Sequence, residues 1–123
     1  MPDAMTGVLD QAAFDELFDS IGGDHEFMAE LIDSYLTDAP SQIEAIQIAV
    51  AAGDAEAAVR PAHTLKSASA SLAALGLAEH CRRLERSATA GSLDGAEETV
   101  ATINAEFERV ARALEQEKAR IAS

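Results

Sequence analysis

Every sustained apolar pattern in this chain recurs at three and four residues, and no stretch alternates apolar with polar as a half-buried strand does. That property confines the fold to helices packed on helices. Glycine and aspartate punctuate the pattern, as residues that end one helix and cap the next. Phe14, Leu17, Phe18 and Ile21 give a short first helix between Asp10 and Gly22-Gly23. A second begins near Asp24 and carries Phe27, Leu31, Ile32 and Tyr35. Pro40 is expected to interrupt or kink it, because proline has no N–H to donate. Ser41 with Glu44 resembles a capping box just beyond, and Ile43, Ile46 and Val50 continue the stripe to Gly53-Asp54. A third helix, from near Asp54 to about Ala74 or Leu75, contains His63, with Pro61 expected to bend it one turn earlier. Gly76 gives a break, after which Leu77, Cys81 and Leu84 mark a fourth helix. Beyond the loop at 90–95, Val100, Ile103, Phe107, Val110, Leu114 and Ile121 keep a near-heptad spacing, and Asp94 and Glu97 suit the start of that last helix.

Four substantial helices joined by short polar loops imply an all-α fold. The expected form is an antiparallel up-down four-helix bundle with a short additional N-terminal helix covering one end. The 123 residues suit one domain, 1–123, with its core at about 10–118, and no repeat, linker or second domain is visible. Charge then narrows the partners. A formal net charge of −13 argues against nucleic acid and anionic membranes, which demand clustered Lys and Arg. Cys81 is the only cysteine, so no disulfide can form within the chain, and a lone thiol at core spacing acts as a small hydrophobe. Residues 1–7 lack the charged-then-apolar order of a signal segment, and no apolar run approaches the roughly 18 to 20 residues of a membrane span. The expectation is a soluble, cytoplasmic protein.

The stretch Ala62-His63-Thr64-Leu65-Lys66-Ser67-Ala68-Ser69-Ala70-Ser71-Leu72 carries the chemistry. On a helical wheel Ala58, Ala62, Leu65, Ala68 or Ser69, Leu72 and Leu75 form a core stripe. His63, Lys66, Ser67, Ala70 and Ser71 fall on another face, with Arg60 one turn before the histidine. An exposed imidazole, titrating near ~6.5 in a peptide, is substantially neutral and nucleophilic at neutral pH. Lys66 can balance part of the roughly 1.5 to 2 negative charges of a phosphoryl group on that ring. Ser67 takes little volume and lets another protein's active site reach the histidine. The sequence supplies a nucleophile, a cation and clearance, but no base to activate attack and no metal site.

This segment resembles the signature of histidine-containing phosphotransfer (HPt) domains, and the similarity runs from about Phe14 to Leu114 through Gly53-Asp54 and Cys81-Arg82-Arg83-Leu84-Glu85. The resemblance implies a phosphorelay carrier. His63 would accept a phosphoryl group from the aspartate of a response-regulator receiver, on Nε2, and pass it to another response regulator. Lys66 would contact the phosphate and Ser67 would give clearance. No cofactor is implied for this chain, the receiver supplying magnesium and the acid-base groups. Partners would be receiver domains and a hybrid histidine kinase, the carrier being a monomer without its own kinase or ATP site. Glycine is common in the family where this chain has Ser67 and Ala73.

Other residues read more plainly. His25 belongs to the exposed first turn of a helix, and His80 to the edge of the core. His80 and Cys81 diverge by about 100 degrees on a helix and make no metal pair. Arg82, Arg83 and Arg86 read as a solvated face pairing with Glu79 and Glu85, ahead of a docking edge. The serines at 67, 69 and 71 lack the strand-to-helix turn of a hydrolase nucleophile. Two alternatives stand beside the carrier. One is a phosphoacceptor and dimerisation fragment of a histidine kinase, which the four helices and the lack of a Gly-rich ATP segment oppose. The other is a non-phosphorylated helical adaptor with the same fold.

Overall fold

Five helices follow one another: α1 (Gln11–Ser20), α2 (His25–Ala51), α3 (Ala55–Ser71), α4 (Leu75–Thr89) and α5 (Ala96–Ala122), with no strand among the described residues. The structure, a computed structural model, describes residues 8–122. Residues 1–7, where the sequence shows no signal segment, lie outside the described residues, as does residue 123. Aspartates start three of the helices as expected. Asp10, Asp24 and Asp54 each accept the N–H three residues on, from Ala13, Phe27 and Ala57, at 2.9–3.0 Å. At the start of α5 it is Ser92 that gives a side-chain bond, accepting the Asp94 N–H.

Helices α2 to α5 pack in a closed cycle, each against its neighbours in sequence, with α5 returning to α2. Their facing stripes make one core, with Ile32, Tyr35, Ile43 and Ile46 from α2, Leu65 from α3, Leu77 and Cys81 from α4, and Ile103, Val110 and Leu114 from α5. Helix α1 buries Phe14 completely and is tied to two other elements. The Asp10 N–H donates to the Ala73 carbonyl at 2.8 Å, and Gln11 donates to Glu117 of α5 at 3.1 Å.

The prolines do not break their helices. α2 runs unbroken through Pro40 and α3 through Pro61. Pro40 sits on the exposed side, flanked by buried Ala39 and nearby Ile43, so the loss of one ladder bond is outweighed by burial on both sides of it. Ser41 caps nothing; its hydroxyl donates back to the Asp38 carbonyl at 2.8 Å. The core register of α2 also differs from the sequence reading. Met28 is buried and Phe27 is 45% exposed, so the buried stripe at the start of α2 runs through Met28, Ile32 and Tyr35.

The break between α3 and α4 lies at Leu72–Ala74 and not at Gly76, which is inside α4. Ala73 adopts a left-handed backbone, φ 67, which costs an L-residue roughly 1 kcal/mol. The turn offsets that cost in two ways. The Ser69 carbonyl accepts the Leu72 and Ala74 N–H groups, and all three turn residues are buried. Leu75 follows at 45% exposure, outside the stripe the wheel gave it.

Candidate functional site

Helix α3 presents its two faces as the wheel requires. Ala58, Ala62, Leu65 and Ser69 are buried, while Arg60, His63, Ser67, Ala70 and Ser71 are exposed. The rotation of the helix is fixed from inside by one polar contact. The Ser69 and Tyr35 hydroxyls lie 2.8 Å apart in the core, so both buried groups are satisfied and α3 is pinned to α2. Burial raises the Tyr35 phenol above its ordinary pKa despite that bond, so it stays neutral.

His63, its side chain 58% exposed, does not stand alone. Glu85 reaches over from α4, and its Oε2 lies 2.8 Å from His63 Nδ1. A neutral imidazole facing a carboxylate carries its proton on the nitrogen that donates, so Nδ1 holds the hydrogen and Nε2 keeps the free lone pair. The tautomer follows from this partner. The other oxygen of Glu85, Oε1, is shut off from solvent and has Lys66 Nζ at 2.7 Å. Ammonium and carboxylate form an ion pair at this distance. Lys66 holds the Glu85 carboxyl below the ordinary carboxylate range, burial opposes it, and the His63 contact adds to the lowering.

Two sequence expectations change here. Glu85 does not pair with the arginine face: Glu79 alone takes Arg82, in a bidentate contact, and Arg83 at 3.4 Å. The Arg82 hydrogen bonds hold the Glu79 carboxyl down to about 2. The histidine also has a carboxylate beside it, where the sequence offered no such group. The signal was available in the spacing: Glu85 lies four residues after Cys81, on the flank of the α4 core stripe that meets α3. Lys66 is consequently half-covered and engaged, with 28% of its side chain exposed.

Hollows border this group on both sides of α3. A cleft of about 790 Å³ between α3 and α4 is lined by Glu56, Arg60, His63, Thr64, Glu85 and Thr89, among others. On the other side of α3 an apolar groove of about 480 Å³ runs along α2, past Leu31, Tyr35, Ala39 and Gln42 on one wall and Thr64, Ala68 and Leu72 on the other. His25 is exposed, its ring centre 6.3 Å from that of Phe18, and His80 is half-buried. Cys81 is fully buried and its thiol is pushed up to about 12 by that burial, against the pull of Lys66, which leaves it protonated and unreactive. Among the described residues no group of three His, Cys, Asp or Glu side chains is set to hold a metal ion, and no helix is long and apolar enough to cross a membrane.

Residues 30–116 match the Hpt domain family. The fold is similar to the crystal structure of histidine-containing phosphotransfer protein B (HptB) from Pseudomonas aeruginosa PAO1, with a TM-score of 0.82 and 30% identity over 92% of this chain and 96% of that one. No curated protein gives a match to this chain.

Proposed function

Because this chain belongs to the Hpt domain family and is a histidine phosphotransfer carrier of a phosphorelay, we propose that His63 is the residue that carries the phosphoryl group. The observation that supports this is the exposed ring whose Nδ1 is occupied by Glu85 at 2.8 Å, leaving Nε2 toward solvent. In the transfer, the Nε2 lone pair attacks the phosphorus of a receiver's acyl phosphate. The N–P bond forms as the P–O bond to the aspartyl carboxylate breaks, and that carboxylate leaves with the electron pair. The Nδ1 proton stays on the ring, which becomes cationic as Nε2 gives up its lone pair, and the Glu85 carboxylate offsets that developing charge. The reverse sequence delivers the group to a second receiver. No proton need be gained or lost.

Lys66 serves as the phosphate cation. Its charge is held at the site by Glu85 before any phosphate arrives, so it is already ordered when the dianionic transfer centre forms. Ser67 gives clearance on the exposed face. The receiver docks across the outer side of α3 and the neighbouring α2, where the 480 Å³ apolar groove opens next to Thr64. The receiver brings magnesium, which supplies charge neutralisation at the phosphoryl group. The carrier is one domain, an antiparallel up-down four-helix bundle with α1 across one end. It works as a cytoplasmic monomer between a hybrid kinase and its response regulators and has no kinase or ATP site of its own.

The test incubates wild type and His63→Gln with a panel of receivers carrying phosphoryl groups. Wild type should gain acid-labile, base-stable phosphate, and His63→Gln none. Equal labelling of both proteins, or none of wild type by any receiver, would remove the assignment. A chain that stays unlabelled yet still binds receivers would be an adaptor.

A further inference from the structure

The charge of this protein is unevenly spread, and the uneven part surrounds His63. α1 is net −3, α2 net −5 with no Lys or Arg at all, and α5 net −2. Only α3 and α4 are net positive, each +1: Arg60 and Lys66 against Glu56 on α3, and Arg82, Arg83 and Arg86 against Glu79 and Glu85 on α4. Five of the nine cations of a chain with net charge −13 therefore sit on the two helices that build the site. Their positions matter more than their number. Arg60 lines the cleft that His63 and Glu85 open into, and Arg86 lines a shallow hollow together with Lys66, Arg82 and Glu85. Arg82 and Arg83 are tied to Glu79 and Lys66 to Glu85, whereas Arg60 and Arg86 are exposed and form no ion pair among the described residues.

From this we infer that Arg60 and Arg86 form the working ends of a recognition rim for a protein partner whose phosphoacceptor aspartate is bordered by further carboxylates. The inference deepens the carrier reading and rests on it. Without the rim, two acidic proteins would repel each other at every approach. With it, the carboxylates bordering the partner's aspartate are drawn to the α4 side of His63 and away from Asp38 of α2, which lines the apolar groove that takes the rest of the partner's docking face, so the encounter is oriented as well as favoured. Because these arginines are exposed, their individual pair energies are small, and their effect belongs to the rate of association and to partner choice.

The test measures association by stopped-flow fluorescence, with an unphosphorylated receiver domain whose phosphoacceptor site is bordered by carboxylates. Wild type is compared with Arg60→Gln/Arg86→Gln and Arg60→Glu/Arg86→Glu. At low salt the charge-reversed variant should associate roughly tenfold slower or worse, with the neutral variant between. The gap should narrow as salt rises, because screening shortens the reach of the rim to a few ångströms. Unchanged helical circular dichroism and unfolding midpoint would exclude a folding defect. Association rates and salt slopes equal to wild type would overturn the rim. Phosphate arrival on His63 is read in parallel from the phosphorylated receiver. Its absence in wild type would count against the carrier and leave the association result standing.

Discussion

At the scale of single residues, the site is a carboxylate shared between a ring and an ammonium. Glu85 does two jobs with two oxygens: Oε2 fixes the tautomer of His63, and Oε1 holds Lys66 in place. Substitutions can separate them. Glu85→Gln keeps an oxygen to accept the Nδ1 proton but removes the charge, whereas Glu85→Ala removes both. A hydrogen bond to a charged partner contributes about 1.5–3 kcal/mol, and the 58% exposure of the ring puts this one near the lower end. We therefore expect Glu85→Ala to slow acceptance of phosphate roughly tenfold, since about 1.4 kcal/mol is one decade of rate. It should also shift the ring toward the other tautomer in nitrogen NMR. Glu85→Gln should keep the tautomer and lose rate alone. An unchanged tautomer in the alanine variant would mean that Glu85 does not position the ring. The pH dependence has a defined sign. Because the folded-state pKa of Glu85 is lowered, its contribution is fully present above the ordinary carboxyl value near ~4.3 and is lost as pH falls through the lower, folded value. The placing of His63, Lys66 and Ser67 side by side on α3 was legible in sequence because they lie within about one turn of one another. Glu85 was not read correctly, because its partners stand 19 and 22 residues away and only the packing of α4 on α3 brings them together.

At the scale of helices, most of the fold was written in the periodicity, and the misreadings fall where tertiary burial overrides a local signal. Pro40 is a strong local breaker, yet Ala39, Ile43 and Ile46 bury on either side of it and the helix continues. Gly76 is a strong local stop, yet the chain turns at Leu72–Ala74, where a buried apolar turn holds an alanine in the left-handed region. Glycine, common in the family at position 73, would adopt that conformation without strain. A polar link inside the core then decides which way α3 faces. If Tyr35 and Ser69 lock α2 to α3, Ser69→Ala should cost about 1–3 kcal/mol in denaturant unfolding, since it leaves a buried phenol without a partner. Tyr35→Phe should cost a similar amount by orphaning the serine. The double variant should cost clearly less than the sum of the two, because no polar group is then left unsatisfied. Strict additivity would show that the two hydroxyls do not depend on each other.

At the scale of the whole molecule, two electrostatic effects respond to salt in opposite directions. The ion pairs that tie the end of α5 to other helices are largely exposed. Lys118 reaches Asp33 of α2 at 2.7 Å and Arg120 reaches Asp15 of α1 at 3.4 Å, fastening the end of α5 to the start of the chain. Such pairs are each worth about 0–1 kcal/mol. Against them stands the mutual repulsion of a chain at −13, with α2 alone carrying five acids and no Lys or Arg. The repulsion acts among many charges over distances near the Debye length, which is about 10 Å at 0.1 M salt and about 3 Å at 1 M, so screening relieves more strain than it removes attraction. Raising sodium chloride from about 0.05 to 0.5 M should therefore raise the unfolding midpoint. A net gain near 1 kcal/mol would move it by roughly 3–6 °C in a domain of this size. The same change should slow association with a carboxylate-bordered receiver, because the field of Arg60 and Arg86 no longer reaches the partner before contact. A melting series and an association series over one salt range thus give slopes of opposite sign. Two slopes of the same sign would mean that the folded state is held by its ion pairs, or that approach to His63 is not steered by charge.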